Sequence, residues 1–518
     1  MFVKVLITLI FIGLTIAVGI LSRKQANSVD GFVLGGRSVG PWLSAFSYGT
    51  SYFSAVVFVG YAGQFGWKYG IASSWIGVGN AIIGSLLAWL ILGQRTKQMT
   101  QHLNSRTMPD FFGTRYANQG LRIAASIIAF VFLIPYTAGV YSGLSKLFDM
   151  GFGIPYEYCI IIMALLTSVY VILGGYKATA VNDFIQGLIM LGGIIAVICV
   201  ILNSQGGLVE AFHKMKEVVP TAHDLESSLY QNFQPGDFAS WIGPNAMSLL
   251  GVVVLTSLGT WGLPQMVGKF YSITDKSAIK RGTIISTIFA LIVAGGCYFL
   301  GGFGRLFSEP AWNEVRHSYK YDDIIPTMLN TAVNSDLLIG LVMVLVLSAS
   351  MSTLAALVLT SSSTMTLDLI YRDKRADADE VKEGEIDEEV AIKKERRKVV
   401  VMRVLIVFFI TISVLIALNP PALIAQLMGI SWGALAGAFL APFLLGLYWR
   451  GVTASSVWAC FIWGVGFTVV NMLLGNPINP IDCGAIAMVG GFPVVILVSL
   501  VTKKLPKAKL DSVWKCYQ

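Results

Sequence analysis

The sequence carries little charge for its length and few residues that bind metals. Of its 518 residues only 66 are charged (37 basic plus 29 acidic), which is 13%, whereas an ordinary soluble domain carries about 25%. Four histidines and six scattered cysteines without a CxxC pair offer neither a metal-ligand cluster nor a disulfide framework. The sequence also lacks a nucleophile motif and paired catalytic carboxylates. These shortages argue against a soluble fold and against an enzyme.

Long uncharged stretches, rich in apolar residues and glycine, run through the whole chain. Apolar residues make up 55% of the sequence, and 53 glycines accompany them. A helix that crosses a bilayer needs about 20 mainly apolar residues, and a soluble fold could not bury so many runs of that length. Thirteen such runs lie near 2–21, 42–65, 70–93, 121–148, 155–174, 181–203, 241–268, 283–304, 335–370, 400–418, 421–447, 453–475 and 482–502. The sequence therefore predicts an all-α polytopic membrane protein with about 13 transmembrane helices.

The basic residues collect in every second loop, and this pattern predicts how the chain crosses the membrane. The loops that follow odd-numbered runs contain Arg23, Arg37, Arg95, Arg115, Lys177, Lys269, Arg450 and Lys503. The opposite loops are neutral or acidic, with Asp149 and Asp322. Because short basic loops stay in the cytoplasm, we expect the N-terminus outside and the C-terminus inside. The net charge of +8 therefore indicates cytoplasmic loops rather than a nucleic-acid partner.

Two of the runs are poorly suited to an uninterrupted helix. The second contains Ser44, Ser47, Gly49, Thr50, Ser51 and Ser54, and the seventh contains Ser257, Gly259, Thr260, Gly262 and Pro264. The two runs stand five apart, so repeats that begin with them would insert with opposite topology. Paired broken helices in an inverted repeat indicate a transport site near the membrane midplane. The alternative is that these small residues only allow close helix packing.

A patch of hydroxyl side chains lies at residues 348–356, inside the ninth run. Helical geometry places Ser352 and Thr353 beside the carbonyl of Ala349, about one turn earlier. Hard cations prefer oxygen ligands, so a broken helix facing this patch could hold Na⁺ without a buried negative charge. Serine and threonine also bond the preceding turn of their own helix, which is the alternative interpretation of the patch.

Several motifs together identify a family. They are residues 32–42 (FVLGGRSVGPW), 108–116 (MPDFFGTRY), 174–176 (GGY) with 182–186 (NDFIQ), 261–270 (WGLPQMVGKF) and 351–354 (MSTL). With these motifs in this order, the chain resembles the sodium/solute symporter family from about residue 31 to about residue 450. That family includes the bacterial proline, sialic acid and pantothenate carriers and the sodium/glucose cotransporters.

The resemblance implies a LeuT-type core of two inverted five-helix repeats, with one helix before the core and two after it. The implied organisation is a peripheral first helix and loop at 1–41, a first repeat at 42–203, an extracellular loop at 204–240, a second repeat at 241–447 and two peripheral helices with a basic tail at 448–518. The second repeat includes a charged cytoplasmic loop at 371–399, with nine basic and ten acidic residues. Such a composition is typical of a solvated helical or disordered connection.

The resemblance also implies which residues bind the coupling ion and the solute. Sodium would be held by backbone carbonyls of Thr50, Phe53 and Ala349 and by the hydroxyls of Ser352 and Thr353. The solute would lie between the broken helices and their neighbours, at Tyr48, Ser54, Val57, Tyr136, Ser257, Thr260 and Trp261. We expect no arginine or lysine at mid-depth in the core, so the half-helix N-terminus near Gly262 would take a substrate carboxylate.

Tyr52, Asp183 and Pro264 are the residues we expect to act in coupling or gating. Ala355 and Ala356 stand where members with a second sodium site carry serines, although Asp183 matches the acidic residue of that site. This departure predicts one Na⁺ per cycle, with Asp183 in a gating or structural role. Tyr52 stands where proline carriers have an aspartate, and this difference weakens the case for proline as the transported solute.

The expected function is Na⁺-coupled symport of a small organic solute by alternating access, across a plasma membrane such as a bacterial inner membrane. We expect the protein to lie in a lipid bilayer, and the sequence indicates no obligate protein partner. Amino acids, small carboxylates, a vitamin-like acid and a sugar acid all remain open. A proton-coupled carrier of the same fold is the nearest alternative, but the four histidines all lie in predicted loops. An ion channel is the alternative from another class, and no filter-like loop supports it.

Overall fold

The computed structural model describes residues 2–307, 309–314, 318–333, 335–371 and 388–517, and these are almost entirely helical. The α-helices are α1 (Phe2–Leu21), α2 (Val29–Leu34), α3 (Pro41–Tyr52), α4 (Ala62–Tyr69), α5 (Ser74–Gly79), α6 (Gln94–His102), α7 (Met108–Arg115), α8 (Gln119–Phe152), α9 (Tyr156–Ser204), α10 (Leu208–Glu217), α11 (Ala222–Leu225), α12 (Ala246–Leu258), α13 (Pro264–Tyr271), α14 (Lys276–Gly301), α15 (Ile324–Ala332), α16 (Asp336–Thr364), α17 (Glu388–Leu418), α18 (Ile424–Tyr448), α19 (Ala454–Leu473), α20 (Pro480–Val501) and α21 (Lys507–Trp514). Two short strands, β1 (Trp312–Asn313) and β2 (Ser318–Tyr319), pair antiparallel.

Shorter helical segments of other types join these helices. The π-helices are Val56–Tyr61, Asn80–Leu87, Trp89–Gly93 and Met365–Ile370, and a 3₁₀ turn, Gly259–Trp261, follows α12. Most of the predicted charged loop at 371–399 lies outside the described residues, which resume with α17.

Ten helical stretches within the described ranges are long and apolar enough to cross a membrane, and α12 with α13 makes an eleventh as one bent span. The prediction of an all-α polytopic membrane protein is therefore confirmed. Two of the ten, Val56–His102 and Tyr156–Ser204, are 47 and 49 residues long. Both are much longer than the roughly 20 residues that one crossing needs.

A glycine interrupts each of these two longest stretches. Gly70 has φ 59° and ψ −138°, and Gly175 has φ 56° and ψ −155°, conformations that residues with a Cβ rarely adopt. Packing requires glycine as well, because a Cβ on Gly70 would lie 2.1 Å from the carbonyl oxygen of Phe238 and one on Gly175 would lie 2.9 Å from the ring of Phe32. Each stretch is thereby divided into two helical segments.

Helices α16 and α18 are the most buried of the long apolar helices in the described ranges. The most apolar windows of α16 and α18 are 78% and 83% buried, whereas that of α1 is 22% buried. Helix α16 packs on α8 and α9, and α18 packs on α8, α19 and α20. The hydroxyl patch predicted in the ninth run therefore faces other helices rather than lipid. Polar residues buried inside a membrane protein in this way often mark functional positions.

The long loop between α9 and α12 folds over one end of the bundle and is anchored by Arg305. The Arg305 guanidinium lies 2.9 Å from the Asp224 carboxylate, and its Nε donates to the carbonyl of Trp67 at 2.6 Å. The same guanidinium stacks on the ring of Phe238, 3.9 Å from its centroid. Because both charges are buried, this ion pair attaches the loop firmly to the end of the bundle.

Candidate functional site

The second membrane run is broken, as its serine and glycine content predicts. Helix α3 ends at Tyr52, Phe53 takes an extended conformation (φ −99°, ψ 128°), and a π-helix begins at Val56. The backbone N–H groups at the restart find hydroxyl acceptors: Val56 N donates to Ser54 Oγ at 3.2 Å, and Ala55 N donates to Ser350 Oγ of α16 at 3.3 Å. The backbone N–H groups exposed by the break are therefore hydrogen-bonded, one to a side chain of the broken segment and one to the neighbouring helix.

The hydroxyl pair of α16 lies directly against this break. Ser352 Oγ donates to Thr50 Oγ1 at 2.8 Å. Thr353 Oγ1 lies 3.2 Å from the carbonyl oxygen of Phe53 and 3.2 Å from that of Ala349. All five residues are at most 1% exposed. The structure thus brings together every residue that the resemblance implies for sodium.

The chemistry of this cluster suits a small cation. The Thr353 hydroxyl has one proton, yet it lies within hydrogen-bond distance of the carbonyls of Ser51, Phe53 and Ala349 at 3.2–3.3 Å. At most one of these oxygens can accept from it at a time, so the others present free lone pairs to the same point. Neutral oxygens converging from two helices form an oxygen-ligand set of the kind that hard cations prefer.

The seventh run is broken as well. Helix α12 passes into a 3₁₀ turn at Gly259–Trp261, Leu263 is extended (φ −85°, ψ 122°), and α13 begins at Pro264. The two halves meet at an angle of 42°. Proline at the first helical position costs no hydrogen bond, because that N–H has no partner inside the helix.

Most of the predicted solute residues meet around the π-helix Asn80–Leu87. The carbonyl of Gly84 accepts hydrogen bonds from Tyr48 at 2.8 Å and from Thr260 at 3.4 Å. Ser257 donates to the side-chain oxygen of Asn80 at 3.1 Å, and Trp261 Nε1 donates to the Ile83 carbonyl at 3.0 Å. Side chains from both broken runs therefore converge on one segment of the third run.

The remaining predicted solute residues lie beside this group. Tyr136 packs edge-on against Trp432, with ring centroids 5.9 Å apart, and Tyr52 stacks on the same indole at 6.5 Å. Val57 is buried in the π-helix after the break, and the Ser54 hydroxyl accepts a hydrogen bond from the N–H of Val56, the first residue of that helix. Tyr52 also donates to the carbonyl of Thr256 at 2.6 Å, so it links the two broken runs.

A buried ion pair lies next to the oxygen cluster, and it corrects the expectation that Lys269 lies in a basic loop. Lys269, which the charge pattern placed in a basic loop, lies in α13 and is 3% exposed. Its Nζ lies 3.6 Å from Asp183 Oδ2 and 2.7 Å from Ser47 Oγ, and Ser47 donates to Asp183 at 2.6 Å. The expectation was wrong because a short half-helix brings residues just after Pro264 back into the bundle.

Besides the backbone carbonyl of Ser51 in the oxygen cluster, sequence reasoning missed three side chains: Lys269, Asn80 and Trp432. An acid inside a span needs a nearby cation or hydrogen-bond donor, so Asp183 was itself a signal for a basic partner such as Lys269. Asn80 and Trp432 occur in apolar runs without a distinguishing pattern, and only the packing of α18 and of the third run brings them to the site.

A comparison with protein families decides the class of this protein. A family model described as "Sodium:solute symporter family" matches residues 32–464, which is well over half of the chain. The chain belongs to the sodium:solute symporter family. The protein is accordingly a multi-pass membrane transporter of the sodium-coupled symport class and not an enzyme.

Relatives of this sodium:solute symporter include the sodium/proline symporters of Staphylococcus aureus strains JH9 and N315. Each is 27% identical over 502 residues, and the match covers 95% of this chain and 90% of the relative. The solved structures that resemble this chain include a Na⁺-coupled sialic acid symporter in a substrate-bound, outward-open state. Its TM-score is 0.76 at 17% identity, and the match covers 98% of this chain and 99% of the chain of that symporter.

A second solved structure is the nucleobase-cation-symport-1 family transporter Mhp1 in a closed conformation. Its TM-score is 0.53 at 14% identity, and the match covers 94% of this chain and 98% of the Mhp1 chain. At such identities the likeness shows the fold alone, and the predicted LeuT-type fold class agrees with these neighbours.

Proposed function

We propose that this symporter moves one Na⁺ together with one small organic solute by alternating access. The observation that carries the proposal is the buried oxygen cluster in which Ser352 and Thr353 of α16 meet the break after Tyr52. An ion bound there would tie α16 to the broken helix that also contributes Tyr48 to the candidate solute site. Binding of the ion and binding of the solute would therefore favour the same arrangement.

We assign the ion to carbonyls of Thr50, Phe53 and Ala349 and to the hydroxyls of Ser352 and Thr353. Their neutrality supports a monovalent ion, because the cluster contains no carboxylate that would favour a divalent one. An inward-negative potential would add about 2.3 kcal/mol per charge per 100 mV to uptake coupled to this ion.

We assign the solute to the neighbouring pocket of Tyr48, Ser54, Val57, Tyr136, Ser257, Thr260 and Trp261, with Asn80 and Trp432 added from the structure. This assignment is supported by the convergence of both broken runs on the carbonyl of Gly84. Tyr52 and Pro264 are proposed to gate the site, since Tyr52 bonds across the two broken runs and Pro264 begins the second half-helix.

The position of Lys269 supports a stoichiometry of one sodium ion per transport cycle. The side chain of Asp183 is the acidic group nearest to the oxygen cluster among those described here, and the Lys269 ammonium already neutralises it at 3.6 Å. Ala355 and Ala356 provide no hydroxyl at the next turn of α16. A second cation would therefore meet a compensated carboxylate and too few oxygens.

We further propose thirteen crossings, with the N-terminus outside and the C-terminus inside a plasma membrane. Division of the two longest stretches at Gly70 and Gly175 adds two crossings to the eleven spans. Both broken runs then stand first in their five-helix repeats, as an inverted repeat requires.

The test is uptake into proteoliposomes that contain the purified protein, with an imposed sodium gradient or with choline in place of sodium. Radiolabelled L-proline is the first probe because relatives are named for it, followed by sialic acid and a set of amino acids and carboxylates. We expect accumulation of at least one solute only with sodium. Equal uptake in choline would contradict sodium coupling, and uptake in choline that follows a proton gradient would favour the proton-coupled alternative.

A further inference from the structure

A second polar cavity lies apart from the helix breaks, under the loop at 204–240. Its volume is about 490 Å³, within the range of small-molecule sites. Its walls come from α4, α12, α20, the start of α18 and the covering loop, and they include Gln64, Lys68, Asn245, Gln426 and Asp482. We call this cavity the outer vestibule.

Two opposite charges in the outer vestibule, those of Lys68 and Asp482, have no direct polar partner among the described residues. Within the described part of the chain, neither the Lys68 ammonium nor the Asp482 carboxylate forms a hydrogen bond or an ion pair. Lys68 Nζ lies 5.4 Å from the centroid of the Tyr321 ring, and the two charges interact only at longer range. Asp224, the third charge of these walls, is already paired with Arg305 at 2.9 Å.

Gln64 supplies an independent sign of a missing partner. The residue is 2% exposed and lines the outer vestibule, and its Oε1 has no hydrogen-bond donor among the described residues. A buried amide oxygen without a donor destabilises the folded state, because it has lost its water and gained no partner. This destabilisation is removed if a ligand brings an N–H group to this position.

The outer vestibule lies close to the candidate solute site along α12. Val252 of α12 lines the vestibule, and Ser257 of the candidate solute site stands five residues later on the same helix, about 7.5 Å along its axis. Gln64 lies in α4, directly after the π-helix that follows the first break. A solute held in the vestibule would therefore be close to the site that it enters next.

We propose that the outer vestibule is a loading site for a zwitterionic solute of the amino-acid class. The carboxylate of the solute would pair with Lys68, and its ammonium would donate to Asp482 and to Oε1 of Gln64. A monocarboxylate would leave Asp482 without a partner, and a neutral sugar would leave both charges without one, so the vestibule selects against these classes. The inference rests on the proposed function, because it names the solute class of the same transporter.

The test combines uptake with equilibrium binding on the full-length protein. Proteoliposomes with a sodium gradient are offered twenty L-amino acids, a set of monocarboxylates and a set of neutral sugars. The variants are Lys68→Met, Lys68→Arg and Asp482→Asn, and Lys216→Met on the exposed face of α10 is the matched control. Thermal stabilisation of each purified variant by the same compounds measures binding without transport.

We expect a zwitterion to be the driven solute, with its KM raised at least about tenfold by Lys68→Met and by Asp482→Asn. Lys216→Met should leave KM within twofold, and Lys68→Arg, which keeps the positive charge, should raise KM less than Lys68→Met does. At saturating solute the sodium half-saturation should stay unchanged in all four variants. Sodium-driven uptake of monocarboxylates or sugars alone would overturn the inference while the proposed function stands. So would an amino-acid KM that Lys68→Met and Asp482→Asn both leave unchanged.

If no solute is driven by sodium, the proposed function fails and the binding measurement still decides the inference. Stabilisation of the unaltered protein by an amino acid, lost in Lys68→Met and retained in Lys68→Arg, would support the vestibule site. Absence of stabilisation by every amino acid would overturn it.

Discussion

Among the five residues assigned to sodium, Thr353 forms the most hydrogen-bond contacts, since its hydroxyl lies 3.2 Å from a carbonyl of α16 and 3.2 Å from one at the helix break. We expect Thr353→Val to raise the sodium concentration for half-maximal uptake by about 10- to 100-fold, because an oxygen ligand to a charge contributes about 1.5–3 kcal/mol. Thr353→Ser keeps the oxygen and should restore most of the affinity. The measurement is solute uptake as a function of sodium concentration.

The control for this experiment is Ser362→Ala, on the same helix. The Ser362 hydroxyl donates to the carbonyl of Leu359, within its own turn, at 3.1 Å. Its removal should change neither sodium dependence nor expression. A Thr353→Val protein with the sodium dependence of the unaltered chain would contradict the assigned ligand.

The pair of Lys269 and Asp183 makes a prediction about stability. Removing one partner leaves an uncompensated buried charge, at a cost of about 3–5 kcal/mol, whereas removing both leaves none. We therefore expect Lys269→Met and Asp183→Asn each to lower the unfolding temperature in detergent. The double variant should be more stable than Lys269→Met alone. Losses that simply add would show that the two side chains do not depend on each other.

At the scale of elements, close glycine contacts hold α4 against α14. A Cβ on Gly66 would lie 1.9 Å from the carbonyl oxygen of Gly301, and a Cβ on Gly301 would lie 2.1 Å from that of Ala62. Small residues at such crossings let two backbones approach closely, and packing is the main force between helices in lipid. This contact supports the helix that follows the first break.

We expect Gly66→Ala to separate α4 from α14 and to lower the yield of monodisperse protein several-fold on size-exclusion chromatography. The matched control is Gly192→Ala in α9, where an added Cβ would meet no atom within 4 Å. Alanine is a better helix former than glycine, so that variant should fold at least as well as the unaltered chain. Equal yields of the two variants would contradict the close crossing.

The elements that the sequence predicts best are those with a strong local signal. Apolar runs of membrane length predict the spans, and Gly259, Gly262 and Pro264 predict the break at the end of α12. The position of Lys269 was not predictable in this way. A basic residue after an apolar run indicates a loop, and only the structure shows that the half-helix turns inward. Contacts such as that of Trp432 depend on the packing of distant helices and leave no local trace.

For the whole molecule, orientation in the membrane is the property that the charge pattern predicts and that helix packing does not reveal. Loop 204–240 is expected outside and the basic tail inside. In a variant without native cysteines, Glu226→Cys should react with an impermeant maleimide in intact cells. Lys507→Cys should react only after the cells are opened. The reverse pattern of labelling would contradict the proposed topology.

We propose that one sodium ion binds between the break after Tyr52 and α16. Equilibrium binding of ²²Na⁺ to the purified protein tests it most directly, with the double variant Ser352→Ala, Thr353→Ala measured in parallel. We expect saturation at about one Na⁺ per chain for the unaltered protein and loss of that saturable binding in the double variant. Binding of two ions per chain, or unchanged binding in the double variant, would contradict it.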